Sequence, residues 1–571
     1  MPNKLLFLSG LVLISLASCN GVNIKQQVSP MTEGCKIITD SCMVVSAHRE
    51  SSRIGAAILK EGGNAVDAAV ATGFALAVCY PEAGNLGGGG FMVIRTRNGS
   101  TDMLDYREKA PLLASRSMYL DNQGTVVEGL STDTRLATGV PGTVDGLVNI
   151  HSKYGILPFR EVIQPAIDLA RTGFPVTQTQ ATILNASRKI FLDRNSRKIP
   201  LVSDSLWHEG DILKQPELAG TLEKIRDSGR EGFYSGTTSR LIIREMERGG
   251  GLISQKDLDE YQSVYRDPVL GYYRGFKIIT ASPPSGGGII LLQILGMIEP
   301  WNLKRMGYHS PGAIHLIAEA EKRAFADRSE YLGDPDFNEI PVDSLLSSTY
   351  LRNRMKSFTE DSATPSILIR PGEIAGYEST ETTHYSVVDK WGNAVAATTT
   401  LNGTFGNYIM VDSAGFLLNN EMDDFSVKPG VPNMYGLVGG ETNSVGPGKR
   451  MLSSMTPVIV EKENHLFLVA GSPGGSTIPT SVLQVVVNVI DFGMTLDEAV
   501  DAGRFHHQWL PDYISYEKDS FDTLTIAKLK IFGYRMQPRG SIGRVNAIQI
   551  RPDGKVSGAG DKRGNNMACG Y

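Results

Sequence analysis

The chain lacks most features that announce a function class. It has no block of one charge: 56 basic residues stand against 61 acidic ones, a formal net charge of −5 at pH 7. So mild a balance gives no electrostatic footprint for nucleic acid. Cysteine is scarce, with 5 in 571 residues, and none falls at zinc-ligand spacing. There is no internal repeat and no low-complexity tract, which excludes repeat arrays and biased disordered segments. The run Asn85-Leu86-Gly87-Gly88-Gly89-Gly90 has neither the lysine nor the following helix of a phosphate-binding loop. It leads into Phe91-Met92-Val93-Ile94 and reads as a glycine turn before a buried strand. Pro283-Pro284-Ser285-Gly286-Gly287-Gly288 lacks the Gly-x-Ser-x-Gly of a nucleophile elbow. It reads as a close approach of backbone layers ahead of an apolar helix at 289–297.

Long apolar runs are also missing, with one short exception. Residues 5–17 follow Lys4 and end in Leu16-Ala17-Ser18-Cys19. The run is too short to span a bilayer and reads as a signal-peptide core. Small residues before Cys19 resemble a bacterial lipobox, in which the cysteine is acylated and becomes the first residue. The alternative is an ordinary secretory signal cut nearby. The expectation is a signal peptide at 1–18, a lipid-anchored tether at 19–42 and a folded body from about Met43. That makes an exported protein, periplasmic or at the cell surface, held to a membrane by its acyl chains. Cys35, Cys42, Cys79 and Cys569 then leave three pairings open. Cys79, in an apolar run, is expected to be a buried free thiol.

What is present is ordinary for a globular protein: 41% hydrophobic and 20% charged residues, over a length that suits several domains or one large layered body. Residues 43–47 suggest a strand, 52–61 a helix closed by Gly62-Gly63, and Asn64 a cap for a small-residue helix, with Asp67 three positions on. Residues 140–330 look mostly helical, and 355–381 are polar and read as exposed and mobile. The pattern then changes to strands.

Thr382-Thr383-His384-Tyr385-Ser386-Val387-Val388 and Ala394-Val395-Ala396-Ala397-Thr398-Thr399-Thr400 flank a turn containing Gly392-Asn393. Both flanks are β-rich, so the stretch predicts a hairpin. A turn centred near Trp391 puts Thr382 opposite Thr400 with Asn402 just beyond. A cluster of hydroxyl and amide groups thus gathers at the open end. A threonine hydroxyl needs a base to become a nucleophile, and a threonine at a chain terminus carries one. Its α-amine has a reference pKa of roughly 7.7–8.0. The chemistry therefore does not require His384, His506 or His507.

Glu381-Thr382-Thr383-His384-Tyr385-Ser386-Val387-Val388 resembles the processing site of γ-glutamyltranspeptidases. The resemblance extends from about residue 43 to the C-terminus, through Leu104-Asp105-Tyr106-Arg107-Glu108, Asn419-Asn420-Glu421-Met422-Asp423-Asp424-Phe425, Leu452-Ser453-Ser454-Met455 and Gly471-Ser472-Pro473-Gly474-Gly475. It implies a four-layer αββα sandwich of the N-terminal-nucleophile hydrolase type. It also implies cleavage between Glu381 and Thr382, giving a large subunit 43–381 and a small subunit 382–571 that stay together. The small subunit would supply much of the central sheet, the large one most helices and Arg107.

By the same resemblance Thr382 is the nucleophile and Thr400 orients its hydroxyl. Arg107 takes the substrate α-carboxylate, helped by Ser453 and Ser454. Glu421 and Asp424 take the α-ammonium, Asn402 adds a polar contact, and Gly474-Gly475 form the oxyanion hole. Residues 429–449, rich in Gly, Pro and Asn, resemble a lid with Tyr435 over the substrate. The implied activity moves the γ-glutamyl group of glutathione or a related compound to Thr382, then to water or an amino acid or peptide acceptor, with no metal or organic cofactor. On bland readings Arg107 is a surface ion pair with Asp105 and Glu108, and Glu421 and Asp424 are solvated loop charges. The rival functions are an acylase, a poly-γ-glutamate-processing relative, and a lipoprotein that only binds γ-glutamyl compounds or peptides.

Overall fold

A computed structural model describes residues 31–370 and 382–571. The signal peptide, Cys19, Glu381 and residues 371–381 of the expected mobile segment lie outside the described residues.

Two antiparallel sheets form the centre. The first has eight strands, in the order Thr32–Gly34, Met567–Gly570, Met43–Ser46, Thr383–Val388, Ala394–Thr400, Gly89–Arg95, Thr101–Asp105 and Val264–Arg266. The second has seven: Lys36–Thr39, Val556–Gly560, Asn546–Ile550, His465–Gly471, Val458–Lys462, Phe276–Thr280 and Val269–Tyr273. Their facing side chains, among them Val45, Phe91, Val93, Ile279, Ala396, Ile459, Val469 and Ile548, make one apolar layer between the sheets. A second core packs helices onto the outer face of the first sheet, including Ala65–Cys79 and Phe159–Thr172. A third packs Gly287–Ile298, Pro311–Tyr331 and Ile478–Ile490 onto the second. The result is the expected αββα sandwich.

Local chemistry explains the elements that set the site. Asn64 caps the Ala65–Cys79 helix by accepting from Val66 and Asp67 N–H, and Asp67 accepts from Asn64 N–H in return. Every residue of that helix is buried, which its alanines permit at close packing distance. The hairpin register is Thr383↔Thr399 through Val388↔Ala394, the pairing that the turn position dictates. Cys79 is a buried free thiol, and Cys35, Cys42 and Cys569 are free as well.

One expectation fails and one holds with an exception. Residues 32–39 are not tether: they pair with Met567–Gly570 and Val556–Gly560, so the folded body begins ahead of Met43. Within the helical stretch 140–330, residues 264–280 form three strands that extend both sheets. Their tight turn is made by Arg274 and Gly275, both at positive φ.

Candidate active site

Thr382 sits immediately before the Thr383–Val388 strand, at the open end of the hairpin and 4% exposed. Continuing the register places Thr400 across from it. The open end is clamped by Asn85. Its amide donates to Thr400 O (2.8 Å) and Thr399 Oγ1 (3.3 Å), and its Oδ1 accepts from Gly88 N–H and Thr143 Oγ1. This requires the glycine run to lie against the strand: a Cβ on Gly88 would meet Thr400 O at 2.0 Å. The run that is no phosphate loop therefore fixes the Thr400 backbone.

Thr382 shares a small pocket, ≈ 20 Å³, with Arg107, Thr400, Asn402, Glu421, Asp424, Tyr435, Leu437, Ser453, Ser454, Met455, Gly475 and Ile478. Every candidate substrate contact read from the sequence thus lines one pocket with the candidate nucleophile. Gly474 precedes Gly475 in the same turn, with φ of 137° and 55°. Glycine alone adopts such values without strain, and at Gly474 a Cβ would also strike Thr477 Oγ1 at 2.5 Å. The turn opens directly into the Ile478–Ile490 helix, so it lies at the positive end of a helix dipole.

Arg107 is fully buried, not a surface residue. Nη1 donates to Glu421 Oε1 and Nη2 to Asp424 Oδ2, while Nε and Nη2 reach the Met451 and Leu452 carbonyls at 3.3 and 3.4 Å. Glu108 Oε2 lies 3.5 Å from Nη1. Three carboxylates therefore surround one guanidinium out of water, and they cannot all ionise together. Burial pushes Glu108, Glu421 and Asp424 up from the ordinary carboxylate range, with Arg107 opposing the rise. Glu108 Oε1 is buried with no hydrogen-bond partner among the described residues, so no donor offsets the cost of its charge at that oxygen. Burial opposes the charge on Arg107, but Glu421, Glu108 and Asp424 outweigh it and hold its pKa above the usual value.

The remaining contacts are held from behind. Asn419 accepts from Glu421 N–H and donates to the Gly87 and Gly139 carbonyls. Asn402 has φ 71°, and its N–H donates to Thr400 Oγ1 at 2.7 Å. The second glycine-rich segment pins the serine pair: Gly286 N–H donates to Ser453 O, and Ser453 N–H donates to Pro284 O. Ser454 Oγ and Glu421 Oε2 are buried with no hydrogen-bond partner among the described residues. Such atoms are costly to leave unmatched, and they mark where a polar ligand would be held. Sequence reasoning missed the parts played by Asn85, Glu108 and Asn419, while the Pro284–Gly286 clamp is the close approach of backbone layers that its glycines suggested. The only signal for Asn85 and the clamp was the glycine density.

The 429–449 loop lies closed. Tyr435 OH donates to Asn402 O, Asn433 Nδ2 donates to Asp424 Oδ1, Met434 N–H donates to Asp423 Oδ2, and Gly440 N–H reaches Ser329 O. The histidines stand apart from the cavity lining. His384 is fully buried between Thr398 and Ser386, and burial drives its pKa down to about 3. Burial likewise takes His507, which faces Asp512, to about 4. His506 bonds Thr480 and Gln508, and Gln508 Oε1 in turn accepts from Ser476 beside Gly475.

Two stacked sheets between helix layers, with a candidate nucleophile opening a central strand, define the class of N-terminal-nucleophile hydrolases. A cephalosporin acylase from Bacillus halodurans shares the fold, with a TM-score of 0.82 over 96% of this chain and 99% of that one at 24% identity. The family follows from sequence. Residues 51–571 match the family model for gamma-glutamyltranspeptidase. A glutathione hydrolase proenzyme of Escherichia coli is 50% identical over 93% of this chain and 92% of its own length. The crystal structure of Helicobacter pylori gamma-glutamyltranspeptidase is 47% identical, with a TM-score of 0.56 over 57% of this chain and 94% of that one. The chain belongs to the γ-glutamyltranspeptidase family.

Proposed function

We propose that the protein is a self-processing γ-glutamyltransferase acting on glutathione and related γ-glutamyl compounds. The observation that carries this reading is a single pocket. In it Thr382 faces one guanidinium and two carboxylates, the complement of a free amino-acid end. In maturation the Thr382 hydroxyl attacks the Glu381 carbonyl carbon, the peptide C–N bond breaks, and an ester forms. Water then cleaves the ester, leaving a Glu381 carboxylate and a Thr382 α-amine.

In turnover that amine accepts the hydroxyl proton as the oxygen attacks the γ-carbonyl of the donor. The tetrahedral oxyanion is met by backbone N–H groups at Gly474-Gly475. The proton passes to the leaving amine, and the γ-glutamyl ester goes to water or to the amine of an amino acid or dipeptide. Arg107 holds the α-carboxylate, Glu421 and Asp424 the ammonium, and Tyr435 closes the cavity. An acylase substrate without a free amino-acid end would leave this charged group unmatched, which disfavours that rival. The leader further supports export and anchoring through acylated Cys19.

The test is intact mass with N-terminal sequencing of wild type and Thr382→Ala after incubation at neutral pH. Two fragments, the smaller starting at Thr382, with an uncut variant and loss of γ-glutamyl anilide hydrolysis, are expected. An uncut wild-type chain would overturn the mechanism and favour a protein that only binds.

A further inference from the structure

Gln508 is a buried amide that the chemistry above leaves unused. It is 6% exposed and does not line the pocket of Thr382. Its Oε1 accepts from Ser476 Oγ at 2.9 Å and from His506 Nε2 at 3.0 Å. Its Nε2 is buried with no hydrogen-bond partner among the described residues. A half-matched amide in the interior costs more than an apolar side chain would, so filling space does not account for it. What it holds is Ser476, which directly follows Gly475 in the turn that opens into the Ile478–Ile490 helix.

The turn is gripped in two ways. From within, Gly474 O accepts from Thr477 N–H at 3.0 Å and from Thr477 Oγ1 at 2.7 Å, and Gly475 O accepts from Ile478 N–H. In a trans peptide the carbonyl and the following N–H point opposite ways. The hold on Gly474 O therefore sets the direction of the Gly475 N–H relative to the turn. From outside, a chain of side chains sets the turn relative to its surroundings. It runs from Ser476 Oγ through Gln508 to His506, whose Nδ1 lies 2.9 Å from Thr480 Oγ1. Thr480 Oγ1 is in turn 3.1 Å from Thr477 O, so the chain leaves the turn at one residue and returns at the next. Its far side is anchored. Phe505 N–H donates to Gln484 Oε1, Gln484 Nε2 donates to Phe505 O, and His507 N–H donates to Glu321 Oε2. We propose that Gln508, with His506 behind it, is a positioning residue for the oxyanion turn. Through Ser476 it fixes the angle at which the Gly475 N–H meets the tetrahedral oxyanion. This rests on the reading of Gly474-Gly475 as the oxyanion hole.

The oxyanion forms in both acylation and deacylation and is absent from the bound donor. Loss of the brace therefore slows both steps together, lowering kcat and leaving donor KM in place. Removing an oxyanion donor outright costs roughly 10²–10³ in kcat, and a tilted one costs less, about tenfold. The experiment compares Ser476→Ala, Gln508→Leu, their double variant, Gln508→Glu and Gly475→Ala with wild type. It measures kcat and KM for a γ-glutamyl anilide per mole of cut protein, counted by intact mass. Each of Ser476→Ala and Gln508→Leu should lower kcat about tenfold with KM within about twofold. The double variant should lose no more than either, since both remove the same bond. Gln508→Glu, which keeps an acceptor for Ser476, should stay within about threefold of wild type. Wild-type kcat in Ser476→Ala overturns the inference, as do losses that multiply in the double variant or a KM that rises while kcat holds. If the leucine variant does not accumulate, Ser476→Ala and Gln508→Glu decide: a fall in the first alone supports the brace, and equal rates in the two overturn it. Gly475→Ala with wild-type kcat would remove the oxyanion reading, and this inference with it. A slow Gly475→Ala beside wild-type rates in Ser476→Ala and Gln508→Leu would remove this inference alone.

Discussion

Arg107→Lys isolates what the guanidinium fork contributes beyond its charge. Arg107 serves Glu421 with one terminal nitrogen and Asp424 with the other, and its backbone is held by Tyr261 OH at 2.8 Å. A lysine ammonium on a simpler stem reaches one such acceptor at a time. The variant loses one charge-assisted hydrogen bond to a substrate carboxylate in an enclosed site, worth about 1.5–3 kcal/mol. At about 1.4 kcal/mol per factor of ten, kcat/KM falls roughly 10- to 150-fold. The contact lies at the end of the substrate remote from the reacting γ-carbonyl. It is therefore made equally in ground and transition states, and the loss belongs in KM. The assay is initial-rate kinetics on a γ-glutamyl anilide, using protein shown by gel to be fully processed. A wild-type KM, or a fall in kcat at unchanged KM, would refute the assignment of Arg107 to the donor carboxylate.

Tyr435→Phe removes the lid's bond to Asn402 O and leaves a buried acceptor unmatched, a cost of about 1–3 kcal/mol. Water should gain access, and the ratio of hydrolysis to transfer products, measured by chromatography with a dipeptide acceptor, should rise; an unchanged ratio would sink the closing role. Glu108→Gln should flatten the pH dependence of melting temperature in the absence of donor. The Glu108 carboxyl is raised from 4.5 to about 7 by burial, so its contribution to stability is full below 4.5 and is lost as pH rises through about 7. A glutamine variant melting in parallel with wild type from pH 4 to 8 would count against a protonated Glu108 in the folded state.

The hairpin was legible because its turn fixes the register and its β-branched flanks leave one alternation. Asn64 was legible because capping is a local hydrogen bond. What failed to show was non-local. Residues 32–39 carry no strand pattern of their own and become strands only because Val556–Gly560 and Met567–Gly570 offer edges some 520 residues on. The strands within 264–280 are three to five residues long, too short for periodicity to register. Arg107 sits between two acids and reads locally as a surface residue. Its burial is decided by Glu421 and Asp424, more than 300 residues away.

The strand order has a consequence for the life of the enzyme after cutting. Thr383–Val388 lies between Met43–Ser46 and Ala394–Thr400, and Met567–Gly570 lies between Thr32–Gly34 and Met43–Ser46. A break before Thr382 is thus a nick in a woven fabric: warp and weft come from different pieces, and neither holds a complete sheet. Separation would tear both sheets at once, so the pieces remain one body without any covalent link. Reassembly after melting is another matter. The intact chain folds as one molecule, but the cut pieces must find each other, at a rate that falls with dilution. A break before Thr382 would therefore make recovery from melting depend on concentration, as recovery of the uncut chain does not.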